Sequence, residues 1–297
     1  PYGKENPNIP KLFDDSSISP LANRNIIVPT YPNGAVVNYN LFGFLANHDA
    51  TDVTLLENRR DLAYACQTQT QEQVVRLIKL AVEKTGQKNV VISGGYGLNC
   101  VANYYYLEQL KGTGIKIYVE PISNDAGTAI GAALIAYKRQ NPNKHVDYSK
   151  DGLYLGFKYD YSATDLEKYV ASHNAEITDA THESVVDLLM NKNIVCLYQG
   201  RSENGPRALG NRSILFNPTY EDGKDFVNEV KRREYFRPFA GSILQEHVHE
   251  WFDLRGMEDS PYMMYAVNCQ PGVEEKIPSI IHVDGTCRIQ TVTKEQN

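Results

Sequence analysis

The 297-residue chain has no apolar run long enough to span a bilayer and no basic excess, its formal net charge being -6. The first absence argues against a transmembrane helix. The second argues against a broad nucleic-acid surface, which needs net basic faces to meet phosphates. The five cysteines (Cys66, Cys100, Cys196, Cys269 and Cys287) are odd in number and widely spaced, without a C-x-x-C pair. That pattern disfavours a disulfide framework or zinc site and favours a reducing, cytoplasmic setting. There is no initiator methionine: the chain starts at Pro1 and stops in a polar run at Asn297, so it reads as a piece of a longer protein. The lack of a signal peptide therefore says little about targeting. Composition (42% hydrophobic, 22% charged) and length fit a soluble globular protein with two ordinary domains.

What positive charge there is lies in one place. From Arg201 to Arg237, eight Lys/Arg stand against six Asp/Glu, a local +2 in a chain that is otherwise acidic. The stretch from Gly200 to Leu215, with Arg201, Arg207 and Arg212 among three glycines, follows the apolar run Ile194 to Tyr198. Arginines crowded on a turn repel unless they face water or share an anion, and their forked donors match phosphate and carboxylate oxygens. The spacing of Gly200 and Gly205 is P-loop-like, but Pro206-Arg207 stands where that motif needs Lys and Ser/Thr, so a Walker loop is excluded. The alternative is a solvated surface loop. A second cationic run, Lys231 to Phe239, contains Lys231, Arg233 and Arg237; Lys231 and Arg233 cannot share a helical face, and Arg237, between aromatics and before Pro238, is expected to turn inward. In the third, His282 to Gln290, Asp284-Gly285-Thr286 makes a tight turn that leaves Arg288 and Gln290 on one strand face.

The first fifty residues read as loop with short elements. Apolar spacing then predicts a helix from Gln71 closed by Gly86, a strand over 89–92, a helix over 99–111, a strand over 115–119 and a helix over 128–137. Strands alternating with helices imply an α/β layer fold. A polar stretch over 138–152 predicts a boundary. Beyond it come helices over 165–172, 183–191 and 225–233, and strands over 194–198, 242–244, 262–267 and 288–292. In the first half, Ser93-Gly94-Gly95 and Asp125-Ala126-Gly127 are loops at strand ends, where open α/β sheets take ligands. Asp125 is a candidate metal ligand, or else the N-cap of the helix that follows. His247 and His249 are set aside as a metal pair, and His48-Asp49-Ala50 as surface.

Taken in order, Pro1-Tyr2-Gly3-Lys4, Ser93 to Cys100, Asp125 to Ala133, the arginine turn, Val230 to Ala240 and His282 to Val292 resemble the NodU/TobZ-type O-carbamoyltransferases from end to end. The resemblance implies an α/β and α+β architecture: the C-terminal half of an ASKHA-type (actin-like ATPase superfold) domain over 1–150, then a truncated YrdC-like domain over 151–297. It implies that carbamoyl phosphate and ATP with Mg give a carbamoyl-adenylate, whose carbamoyl group passes to a hydroxyl of a small-molecule acceptor. Arg201, Arg207, Arg212, Lys231, Arg237 and Arg288 would hold carbamoyl phosphate and ATP, with Lys231, Arg237 and Arg207 catalytic. Gly94, Gly95 and Asn99 would meet the adenylate, and Asp125 a divalent metal such as iron. The family's metal-binding histidines precede its Pro-Tyr-Gly segment and its last nucleotide-binding segment follows Asn297, so the stretch alone is expected to be inactive. The rivals are a threonylcarbamoyl-adenylate-type tRNA-modification enzyme and a non-catalytic nucleotide- or phosphate-binding regulator. Neither nucleic acid nor membrane is expected as a partner.

Overall fold

The computed structural model describes residues 2–9, 11–14, 21–22, 27–30, 34–37, 53–146 and 153–294. His48-Asp49-Ala50 lies outside them. The chain is mixed α/β and divides into two compact units, Pro1–Val90 with Tyr104–Tyr118, and Val91–Asn103 with Val119–Asn297. This division follows a different line from the sequence-based one at 150. Among the described residues no helix is long and apolar enough to cross a membrane.

In the first unit, β1 (Phe13–Asp14) pairs antiparallel with β2 (Leu21–Ala22), and β3 (Ile27–Thr30) with β4 (Gly34–Val37). Helix α1 (Val53–Thr85) is 33 residues long, starting well before the Gln71 that periodicity marks. It ends where expected: Gly86 takes φ 70° and its N–H closes on Val82 O at 2.8 Å. Asp61, buried on α1, accepts from Lys4 N (2.9 Å) and Asn6 Nδ2 (3.0 Å), and Gln69 accepts from Leu12 N (2.8 Å). These bonds seat Ile9 and Leu12 against Leu62 as a small apolar core. An open groove of about 540 Å³ in this unit is lined by Glu72, Val75, Arg76, Lys79, Tyr105 and Gln109.

Strand β5 (Asn89–Ile92) pairs with β6 (Lys116–Val119), and α2 (Cys100–Gln109) connects them after a 3₁₀ turn over Gly95–Leu98. Helix α3 (Asp125–Gln140) begins three residues earlier than expected, and Asn124 rather than Asp125 occupies its N-cap, without a side-chain cap bond. Asp125 is instead the first helical residue, favourably placed against the positive end of the helix. Gly127 explains the small residues here: a Cβ added to it would lie 2.3 Å from Ile122 O.

In the second unit, α4 (Ala163–Ser172) and α5 (His182–Met190) each open with a complete capping box, Ser162 with Asp165 and Thr181 with Ser184. Strands β7 (Val195–Tyr198) and β8 (Arg212–Leu215) form an antiparallel pair around the arginine turn. Helix α6 (Gly223–Val230) ends three residues before the expected Arg233; Lys231 is its C-cap and Arg232 turns left-handed at φ 50°. A four-stranded sheet follows, in the order β10 (Phe252–Asp253), β11 (Ala266–Cys269), β12 (Thr286–Val292), β9 (Ala240–Leu244), with α7 (Val248–Trp251) beside it. Strand β12 is interior, antiparallel to β11 and parallel to β9. Val248, Val267, Cys287 and Ile289 are 0% exposed, the dry centre of this unit. The strand expected over 262–267 is displaced to Ala266–Cys269, because Met263 adopts φ 56° and breaks the extended run before it.

Gly127→Ala should destabilise the chain by about 1–3 kcal/mol, the range for forcing extra carbon into a closed contact. Chemical denaturation checks it; an unchanged midpoint would show that the first turn of α3 can move off Ile122.

Candidate functional site

Tyr198 and Arg212 face each other at the turn end of the β7–β8 pair, and the Arg212 guanidinium lies over the Tyr198 ring at 3.7 Å. The turn between them reverses through Gly205 (φ 113°), a backbone conformation closed to side-chain-bearing residues. At its centre stands Glu203, whose Oε1 accepts from the backbone N–H groups of Leu209 (2.7 Å), Asn211 (2.8 Å) and Arg212 (3.2 Å). The amides that might have cradled an external anion are thus filled by the turn's own carboxylate. Burial alone would raise the Glu203 carboxyl, but hydrogen bonds from the backbone outweigh it and hold the group below its usual value.

Two of the three turn arginines are likewise used internally. Arg201 donates through Nε to Gly156 O (2.9 Å) and through Nη2 to Leu155 O (3.1 Å). Arg212 donates through Nη1 to Gln199 O (2.7 Å) and Asn211 O (2.8 Å). Backbone carbonyls thus accept from both guanidiniums, and Arg201 is also exposed.

Arg207 is different. Its Nη2 donates to Leu98 O (3.3 Å) and to Cys100 Sγ (3.5 Å), while its Nε is buried with no hydrogen-bond partner. Arg288, from the interior strand β12, hydrogen-bonds the same thiol, feels the charge of Arg207, and also has a buried, unpartnered Nε. Burial first and the Arg207 charge second push the Arg288 guanidinium below its usual value. Among the described residues neither arginine makes an ion pair. Two guanidiniums around one thiol, partly desolvated and without a carboxylate, form a place where an anion gains both charge and forked donors.

The surroundings hold this pair in position. The Leu209 carbonyl, two residues after Arg207, accepts from Gln290 Nε2 (3.1 Å) and Tyr154 Oη (3.2 Å), and Gln290 shares the face of β12 with Arg288. Leu209 itself is buried with Ile122, Leu153 and Met263. Cys100 donates its thiol proton to Met263 O (3.3 Å), and the buried Asn103 donates to Gly97 O (2.7 Å) and Met264 O (2.9 Å). Glu203, Cys100 and Asn103 were not singled out by sequence reasoning. For Glu203 the available signal was a lone acid among three arginines; for Cys100 and Asn103 it was their place in the first turn of a helix after a Gly-rich loop.

The remaining sequence candidates lie elsewhere. Lys231 is exposed at the end of α6. Arg237 does not turn inward: its side chain is 53% exposed and pairs with Glu234 at 2.7 Å. Arg233 turns inward instead, over the Phe239 ring at 5.0 Å. The cause is Asn228, 1% exposed, whose Nδ2 binds Tyr235 O (3.2 Å) and Arg237 O (3.0 Å) and fixes the path of the loop. Gly94 (φ 96°) and Gly95 have open space where a Cβ would project. Asn99 accepts from Ala102 N (3.1 Å) and so caps α2. Asp125 is exposed, and no cluster of three or more His, Cys, Asp or Glu among the described residues could hold a metal ion. The described residues thus form no metal site around Asp125.

Glu203→Gln should cost about 1–2 kcal/mol at neutral pH, since an amide oxygen replaces a carboxylate that holds three N–H donors. The native carboxyl lies below its unfolded value, so its contribution is present above the usual carboxylate range and is lost as pH falls through the depressed value. Urea midpoints measured from pH 7 downwards should therefore fall more steeply in the native chain than in the variant. Parallel curves would refute the assignment.

Comparison with known proteins adds the family. The carbamoyltransferase C-terminus family matches residues 186–297, and the carbamoyltransferase N-terminus family matches residues 28–134. Nodulation protein NolO of Bradyrhizobium diazoefficiens is 36% identical over 81% of this chain and 44% of its own length. An uncharacterized protein of Synechocystis is 33% identical over 87% of this chain and 46% of its own. Nodulation protein U of Rhizobium tropici is 34% identical over 74% and 36% respectively. The chain thus spans less than half the length of these relatives. With both family segments present, in order, and the arginine turn inside the second, the chain belongs to the carbamoyltransferase family.

Proposed function

We propose that this chain is part of an O-carbamoyltransferase and that the Arg207–Arg288 pair binds the phosphate of its activated donor. The observation that carries this reading is the pair itself: two neighbouring guanidiniums, each with a buried unpartnered Nε, and no carboxylate in ion-pair reach among the described residues. In the reaction, carbamoyl phosphate is hydrolysed to carbamate and phosphate. Carbamate attacks the α-phosphorus of ATP, giving carbamoyl-adenylate and pyrophosphate. An acceptor hydroxyl then takes the carbamoyl group, releasing AMP.

Each phosphoryl step gathers negative charge on oxygens, and fixed cations that need no reorganisation lower that barrier. Arg207 and Arg288 supply them from rigid supports, a turn pinned by Leu209 and an interior strand. Lys231 and Arg237 are both exposed, and Arg237 would leave its partner Glu234 to meet the donor. Gly94 and Gly95 leave room for a close backbone approach by the adenylate. In this reading residues 1–150 correspond to the ASKHA-type transfer part and 151–297 to the YrdC-like activation part.

The test is pyrophosphate release from ATP driven by carbamoyl phosphate, in the complete enzyme that contains this chain. Arg207→Ala and Arg288→Ala should each lower it about 100-fold or more, the range for removing one fixed donor to developing charge. Rates within twofold of the native enzyme would remove the pair from the mechanism. Release driven by threonine and bicarbonate instead would assign the chain to threonylcarbamoyl-adenylate synthesis.

A further inference from the structure

His282 lies just before the turn that launches β12, two residues from Asp284 and six from Arg288. Its Nε2 is 3.3 Å from Phe239 O and its Nδ1 is 3.2 Å from Thr286 Oγ1. A carbonyl only accepts, so Nε2 carries a proton and Nδ1 is the atom that titrates. The Thr286 hydroxyl has one proton and two takers: Nδ1 of the neutral ring, and Asp284 Oδ1 at 2.7 Å. With the ring neutral, one of these two contacts lacks a hydrogen. Protonating Nδ1 completes both, because the ring then donates to Oγ1 and Thr286 donates to Asp284.

The charges that face the ring oppose one another. Burial pushes His282 below its usual value; the Phe239 carbonyl and Asp284 push it up; and Arg288, from β12, pushes it down. From the β9 side the ring meets the neutral Phe239 carbonyl. An anion on Arg288 would cancel the one opposing charge. We propose that His282 is a proton-linked positioning residue of the Arg207–Arg288 site: anion binding is accompanied by uptake of a solvent proton at Nδ1, while Thr286 passes its hydroxyl hydrogen bond from the ring to Asp284. By reciprocity, protonated His282 strengthens anion binding, so affinity rises as pH falls through the titration of this ring. The idea rests on the arginine pair being an anion site.

Sulfate is the suitable probe, since it is tetrahedral and does not itself titrate between pH 5.5 and 8, whereas phosphate does. Calorimetry in buffers of different ionisation enthalpy should show net proton uptake on sulfate binding, with affinity rising about fivefold towards the acid end, the lower range for coupled sites. His282→Gln keeps a donor for Phe239 O and an acceptor for Thr286 but cannot titrate, so its sulfate affinity should lose this pH dependence. Ring-nitrogen NMR on the native chain gives an independent reading: the neutral ring should carry its proton on Nε2, and sulfate should raise the titration midpoint. Unchanged proton uptake in His282→Gln, a midpoint that sulfate does not move, or an Nδ1–H neutral tautomer would each overturn the proposal while leaving the arginine pair standing. If sulfate binding is absent, or survives unchanged in Arg288→Ala, the anion-site reading falls and this one with it.

Discussion

Arg207 and Arg288 are like charges held beside one thiol in the second unit, with no ion pair to either among the described residues. Each guanidinium has a buried Nε without a partner, and the structure accepts that cost although a single carboxylate would relieve it. Neither charge can simply swing away into water. Arg288 sits on an interior strand, its Cα opposite Ala266 on one side and Ala240 on the other. Arg207 is two residues from Leu209, whose amide, carbonyl and side chain are all engaged. Fixed like charges are costly alone and favourable around an anion, which is what the proposed donor phosphate would supply.

The rest of the arginine turn makes this possible by taking no part in it. Glu203 saturates three amides, and Arg201 and Arg212 saturate carbonyls of the neighbouring backbone. A turn rich in charge thereby becomes a hydrogen-bonded frame in which Arg207, of its three arginines, has a buried and unpartnered Nε. Rigidity matters because oxyanion stabilisation depends on donors already in place when charge develops. The division of labour is between residues of the same type: the arginine that reaches a helix-start carbonyl and a thiol is left short of acceptors, while the arginines beside strand ends find carbonyls in plenty.

Much of this frame is legible in the sequence. The helix closed by Gly86, the strand over 89–92 and the strand carrying Arg288 follow from apolar spacing and turn residues. The part of α1 before Gln71 does not, because the Gln/Thr-rich run Gln67 to Gln73 at the middle of the helix interrupts the apolar stripe. Strand β8 was hidden for another reason: Arg212 and Ser213 read as the end of a polar loop, and only pairing with β7 makes them a strand. Arg237 and Arg233 exchange roles because of Asn228, a buried side chain whose two bonds set the loop path and which no local pattern announces. Composition marks where cations gather. Which of them keep free charge depends on acceptors brought in from distant segments.

Cys100 shows why the pair retains its charge. A carboxylate at that position would neutralise the arginines and occupy the space between them. Cys100 Sγ instead lies within hydrogen-bond reach of Arg207 Nη2 (3.5 Å) and of Met263 O (3.3 Å). It restrains their geometry without placing a carboxylate between them. The same logic runs through the turn before β12, where Asp284 is engaged by Thr286 N (3.0 Å) and by the Thr286 hydroxyl. Asp284 is tied to its own turn and makes no ion pair with Arg288 among the described residues. Glu203 and Asp284 are both bound to backbone or hydroxyl donors, and neither makes an ion pair with Arg207 or Arg288 among the described residues.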